Sequence, residues 1–167
     1  MRFITLVAVL AALTTAGTAR AHADSGPPWG PAAPNFNLQV VLRPVAGGPS
    51  AAFGLVFFRQ DINDGLKIVD LGTWVRDLAP NSSYQLQRAV DTNVDGDCVG
   101  TSWLTLGQGL TPKTINTDDR GTGSALLWRN LAAITVGSQF DIHFRVIDAV
   151  TKMVVLESGC YTYTVSQ

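Results

Sequence analysis

The acidic stretch DTNVDGDC, residues 91–98, has residue types and a spacing that could bind a cation. A calcium-binding loop takes oxygen ligands from positions 1, 3 and 5, and has glycine at position 6 for a sharp turn. Counted from Asp91, these positions hold Asn93, Asp95 and Gly96. The match weakens at position 12, because a serine stands where the strong form of the loop has a bidentate glutamate.

The same stretch also has the composition of a β-hairpin turn. Asp95-Gly96 supplies residues that accept a positive φ, and the flanking segments resemble strands, whereas such calcium loops lie between helices. Asp97 adds a carboxylate that could replace the missing glutamate. The sequence favours the turn and predicts no cofactor, apart from a weak candidate for structural calcium at Asp91, Asn93, Asp95 and Asp97.

The N-terminus predicts export from the cytoplasm. Residues 1–23 combine Arg2, an apolar run from Phe3 to Leu13 and the small-x-small motif Ala21-His22-Ala23, which is the pattern of a signal peptide. The apolar run is shorter than the roughly 20 residues of a membrane span. We therefore expect a secreted or extracytoplasmic protein with no transmembrane segment in its mature chain.

The two cysteines, Cys98 and Cys160, predict a disulfide, since an isolated pair in an exported protein is most simply one bond. The alternative is two free thiols with a redox or metal-binding role. That alternative lacks both a CxxC spacing and a nearby histidine.

Charge and composition exclude several classes of function. Two of the twelve Lys and Arg residues lie in the leader, which leaves ten against thirteen Asp and Glu and a net charge of −3. The basic residues are scattered and form no stripe for nucleic acid. The mature chain has a single histidine, His143, and no G-x-S-x-G motif, so we expect no enzyme and interpret His143 as a surface residue with a partner.

The rest of the chain divides into a lead-in and one domain. Residues 24–34, DSGPPWGPAAP, are too rich in proline and glycine to pair into a sheet and predict a flexible segment. Residues 35–167 form a single domain, in which runs such as FNLQVVLR and QFDIHFRVIDA alternate with period two. The denser apolar run AAFGLVFFR predicts a strand covered on both faces. About nine or ten short strands predict an all-β fold, an antiparallel β-sandwich.

The segment LAPNSSY, from Leu78 to Tyr84, follows the pattern L-x-P-x-x-x-Y with its proline at Pro80. It resembles the tyrosine corner of fibronectin type III and immunoglobulin-like domains. The resemblance implies an immunoglobulin-like sandwich in which the Tyr84 hydroxyl hydrogen-bonds to the backbone a few residues upstream. It implies nothing about function, because that architecture supports many unrelated activities.

Alternation places Trp74 and Trp103 on the outer face of the predicted sandwich. Exposed tryptophan rings can stack on sugars, but they also cover apolar gaps at the edges of sheets. Trp128 is expected to pack with Leu126.

These observations predict a secreted, non-catalytic β-sandwich that acts as a binding or structural surface module. Its partner is expected to be a protein or a carbohydrate at the cell surface. Two alternatives stay open: a carbohydrate-binding module that uses Trp74 and Trp103, and a secreted hydrolase whose carboxylates converge only in three dimensions.

Overall fold

The described part of the chain consists of β-strands joined by turns and loops. A computed structural model describes residues 37–60 and 67–165, so the predicted signal peptide and lead-in lie outside the described residues. The strands are β1 (Asn37–Pro44), β2 (Phe53–Gln60), β3 (Ile68–Arg76), β4 (Ser83–Asp91), β5 (Leu104–Thr105), β6 (Gly107–Gln108), β7 (Thr111–Pro112), β8 (Ile115–Thr117), β9 (Gly123–Asn130), β10 (Gln139–Asp148), β11 (Val154–Ser158) and β12 (Tyr161–Thr164). Within the described ranges, no helix has the length and apolar character needed to cross a membrane.

Eight strands close into a barrel in the order β1, β2, β3, β9, β8, β4, β10 and β11, which pairs again with β1. All these pairings are antiparallel, and β12 extends β11 along β10. The barrel closes where β4 pairs with β10, from Tyr84↔Asp148 to Asp91↔Asp141. The expected all-β, antiparallel fold is confirmed. The expected immunoglobulin-like sandwich is corrected to a barrel, because the long β4–β10 ladder joins the strands into one continuous sheet.

Side chains alternate between the barrel interior and its outer surface, as the period-two pattern predicts. The prediction for β2 was wrong, because its outer face is not covered. Val56 and Phe58 point inward and are buried, whereas Phe57 points outward and is 50% exposed. The barrel wall is a single sheet, so no second layer covers that face. Leu126 and Trp128 also point outward, and Leu126 is 77% exposed.

One end of the barrel interior is tightly packed. Gly54 lies there, and a Cβ at this position would lie only 3.0 Å from Leu42 Cδ1 and 3.2 Å from Leu156 Cδ1. A larger residue would therefore displace core side chains. The fully buried side chains of this end come from β1, β2, β3, β4, β8, β10 and β11: Val40, Leu42, Val56, Val75, Leu86, Ile115, Val146 and Leu156.

The LAPNSSY segment connects β3 to β4 and has the hydrogen bond of a tyrosine corner. Tyr84 is 3% exposed, and its hydroxyl accepts a hydrogen bond from the Ala79 N–H at 3.0 Å. Thr117 on β8 donates from its hydroxyl to the Ala79 carbonyl at 2.7 Å and accepts from the Ser82 N–H at 3.0 Å. The corner geometry therefore occurs here in a barrel, so the motif by itself does not specify a sandwich.

Replacing Tyr84 with phenylalanine should lower the free energy of unfolding by about 1–3 kcal/mol, because the Ala79 N–H loses its acceptor in a partly buried place. Urea denaturation measures this change. Ser82→Ala is the matched control: it removes an exposed hydroxyl from the same corner and should cost less than about 0.5 kcal/mol. Equal midpoints for Tyr84→Phe and the wild type would mean that the segment is an ordinary turn.

Candidate functional site

The carboxylates of the acidic loop are hydrogen-bonded within the loop itself. Asp91 Oδ1 accepts from the Asn93 N–H at 3.1 Å, and Asp95 Oδ1 accepts from the Asp97 N–H at 3.0 Å. The Asn93 side-chain amide donates to the other oxygen of Asp95. Nowhere in residues 37–60 and 67–165 do three or more His, Cys, Asp or Glu side chains come together as metal ligands. The geometry is that of a series of side-chain-stabilised turns.

A buried carboxylate anchors this loop to the barrel. Asp141 points outward from β10 but is 0% exposed, because the loop folds over it. Asp141 Oδ2 accepts from the Gly96 N–H at 2.7 Å and from the Asp95 N–H at 3.0 Å. Its Oδ1 accepts from the Thr162 hydroxyl at 2.6 Å. The sequence placed Asp141 on the polar face of the strand but gave no sign that a loop 45 residues earlier in the chain would cover it.

These hydrogen bonds determine the ionisation of Asp141. Burial of the carboxyl group raises its pKa, but the hydrogen bonds from the Thr162 hydroxyl and from the Gly96 and Asp95 amides outweigh burial and hold the pKa below its ordinary value. Asp141 therefore stabilises the fold above the unfolded-state pKa of about 3.9, and this contribution is lost as pH falls through the lower folded-state pKa.

Asp141→Asn should lower the free energy of unfolding at pH 7 by about 1.5–3 kcal/mol, since the change removes the charge that three donors stabilise. The difference from the wild type should begin to shrink below about pH 3.9, where the unfolded chain takes up a proton, and should be lost as pH falls through the lower folded-state pKa. Denaturant unfolding at several pH values measures both effects. Asp119→Asn, at an exposed turn position, is the control and should change little; a pH-independent difference for Asp141→Asn would contradict this account.

The predicted disulfide is confirmed. Cys98 and Cys160 are bonded, with their Cα atoms 5.3 Å apart, and they join the end of the acidic loop to the residue before β12. Together with Asp141, this bond fixes the loop against β10 and β12. A disulfide is consistent with an extracytoplasmic location, where oxidising conditions maintain such bonds.

Calcium should not change the melting temperature of the protein, because the Asp91 and Asp95 oxygens already accept hydrogen bonds within the loop. Thermal unfolding in millimolar calcium, with magnesium as the control, tests this expectation, since a weak extracellular site would bind in about that range. A rise of several degrees specific to calcium, and its loss in the double variant Asp91→Ala with Asp95→Ala, would contradict it.

The two tryptophans proposed as a sugar platform lie on different sides of the barrel. Trp74 is on β3, with its ring 6.4 Å from Phe53, whereas Trp103 precedes β5, which pairs with β4. Strands β9 and β8 lie between β3 and β4. The Trp103 ring is also engaged, because the Arg145 guanidinium lies 4.0 Å from its centroid and the His143 ring lies at 4.5 Å.

His143 has partners on the outer surface, as expected of a structural histidine. Its Nε2 lies 3.0 Å from the Gly100 carbonyl oxygen, and its ring contacts Trp103. Arg145, on the same face of β10, donates from Nε to Gln87 Oε1 at 2.8 Å. These contacts attach the segment after the acidic loop to the barrel wall.

The end of the barrel opposite the packed core contains a cavity of about 390 Å³. Thr92 and Gln139, which line it, are exposed, so the cavity reaches the surface at the end of β4 and the start of β10. The remaining lining consists of ten apolar side chains, one serine and two arginines: Phe58, Val69, Leu71, Val90, Leu106, Leu131, Ile134, Phe140, Ile142, Phe144, Ser138, Arg88 and Arg129.

The two arginines give the cavity its charge. Arg88 on β4 lies opposite Phe144 in the ladder, and Arg129 on β9 lies opposite Val69, so both belong to inward-facing rows. Arg129 Nη1 donates to the Gly109 carbonyl at 3.0 Å. Among the residues that the structure describes, no acidic side chain lines the cavity, and the one ion pair lies elsewhere, between Arg76 at the end of β3 and Asp77. Burial, and secondarily the charge of Arg129, lower the pKa of Arg88.

Sequence reasoning missed both arginines, although the pattern contains a signal for each. In SYQLQRAV, Arg88 occupies the same alternating row as Tyr84 and Leu86, which are buried. In GSALLWRN, Arg129 follows the buried row of Ala125 and Leu127. An arginine on the apolar face of a strand is the feature that would have indicated a charged interior.

Comparisons with protein-family models, with curated proteins and with solved structures found no match to this chain.

Proposed function

We propose that this protein is an exported, non-catalytic binding protein that holds one small, mostly apolar molecule inside its barrel. The observation that carries the proposal is the cavity, which lies among apolar side chains in an otherwise well-packed interior. Eight-stranded barrels are wide enough either to be filled by side chains or to hold one small ligand. A volume of 390 Å³ lies within the range of about 300–1,000 Å³ that is usual for ligand pockets.

The cavity lining supports binding rather than hydrolysis. A hydrolase of the kind considered from the sequence needs a carboxylate or histidine as general acid or base near its substrate. The described lining residues include neither, and the charged groups among them are the two arginines. Asp141, the most deeply buried carboxylate among the described residues, faces the acidic loop on the outer side of the barrel wall.

A carbohydrate-binding function has less support than an apolar ligand. A sugar platform needs flat rings that are exposed and lie near one another. Trp74 and Trp103 are on different sides of the barrel, and Trp103 already contacts Arg145 and His143. Export is part of the proposal because the leader has the pattern of a signal peptide and the chain contains a disulfide.

The neutral apolar dye N-phenyl-1-naphthylamine should bind the folded protein saturably, with a rise in its fluorescence. Val90→Trp places a large ring in the cavity lining and should abolish this binding, since the added volume occupies the space for the dye. Val94→Trp is the matched control, because Val94 lies exposed in the acidic loop and should leave binding unchanged.

Binding should also raise the melting temperature, because a ligand at 100 times its dissociation constant stabilises the folded state by about 2.7 kcal/mol. The absence of saturable dye binding to the wild type would contradict the proposed function. So would equal binding by folded Val90→Trp.

A further inference from the structure

We propose that the ligand is amphipathic, with an anionic oxygen head group that Arg88 binds inside the barrel and an apolar tail that reaches toward the cavity mouth. This inference rests on the proposed function and specifies the class of its ligand. The shared chemistry is a carboxylate, sulfate or phosphate attached to an apolar chain.

The environment of Arg88 favours a ligand with an anionic group. A charged group is costly to remove from water unless it is paired and hydrogen-bonded. Arg88 makes no ion pair and no hydrogen bond with any side chain or carbonyl in the described ranges, although it stands in a row of buried residues. No nitrogen atom of its side chain is both fully buried and without a hydrogen-bond partner. The unpaired guanidinium is therefore accessible from the cavity that it lines. An entering anion would supply the missing partner.

The net positive charge of the cavity lining also favours an anion. Arg129 adds a second positive charge to the same lining, and no carboxylate of the described lining residues offsets either one. The mutual repulsion contributes to the lowered pKa of Arg88. An anion between the two groups would relieve this repulsion, whereas a neutral or cationic ligand would not. Guanidinium groups also match the geometry of carboxylate and phosphate oxygens with two parallel hydrogen bonds.

The depth of Arg88 determines how the ligand lies. Arg88 is four residues inward from Thr92 along β4, which corresponds to about 13 Å from the exposed mouth. Val90 and its ladder partner Ile142 lie between these two levels, and Leu131 and Ile134 line the cavity from the loop after β9. A head group at Arg88 therefore leaves an apolar path for the tail toward the mouth.

Titration calorimetry with decanoate, decyl sulfate and 1-decanol, all below micelle-forming concentrations, tests the inference. The three probes share a chain and differ in the head group. The wild type should bind the better of the two anions about 10- to 100-fold more tightly than decanol, which is the range expected for hydrogen bonds to a charged group. The order of decanoate and decyl sulfate identifies which head group fits.

Arg88→Met should remove this preference for anions and retain the binding of decanol. Arg88→Lys keeps the charge without the planar fork and should restore part of the preference. Arg43→Met, on the outer face of β1, is the matched control and should behave as the wild type. Arg88 is partly buried and unpaired, so replacing it with an apolar side chain of similar length leaves no partner charge uncompensated, and the ligand-free melting temperature of Arg88→Met should not fall.

The outcomes separate the two proposals. Equal affinities for the anions and decanol, or an unchanged preference in Arg88→Met, would overturn the assignment of the head group while leaving an apolar cavity. A marked loss of stability in ligand-free Arg88→Met would overturn it as well, because Arg88 would then be structural. Failure of all three probes to bind the wild type would contradict the proposed function itself.

Discussion

The ladder between β4 and β10 is the interaction on which the rest of the molecule depends. These strands are distant in the sequence, yet they pair from Tyr84↔Asp148 to Asp91↔Asp141 and convert an open sheet into a barrel. Closure leaves no unpaired edge between them and gives each of the eight barrel strands one enclosed face. It also places Arg88 beside Phe144 inside the wall. On the outside, the same ladder brings the acidic loop over the carboxylate of Asp141.

The two ends of the barrel differ: one is packed and stabilises the fold, and the other contains the cavity. At one end, close contacts such as those around Gly54 fill the interior and supply the hydrophobic stabilisation of the fold. At the other, apolar surface borders a cavity, and two positive charges have no acidic partner among the lining residues that the structure describes. Both features weaken the folded state. A ligand in the cavity would offset this loss of stability, because binding stabilises the folded chain.

The sequence predicted the local features of the strands and the disulfide much better than the closure of the barrel. Alternation correctly assigned the inward row of β10, Ile142, Phe144 and Val146, because side-chain direction follows directly from the strand period. The Cys98–Cys160 bond was predictable from the signal-peptide pattern and from the number of cysteines. The sandwich was predicted instead of the barrel because alternating strands suit both, and the choice depends on pairing between distant strands.

The candidate site illustrates the same limit. The acidic loop has the most conspicuous chemistry in the sequence, yet the oxygens of Asp91 and Asp95 stabilise turns within the loop. Arg88 was recognisable as a charge on an apolar row, but only the closed barrel shows that this row faces a cavity. The most direct test of the account is a crystal structure with decanoate carrying a terminal bromine, whose anomalous signal locates the tail. We expect the carboxylate at Arg88 and the bromine near the mouth at Thr92; a molecule bound only to the outer wall would contradict the account.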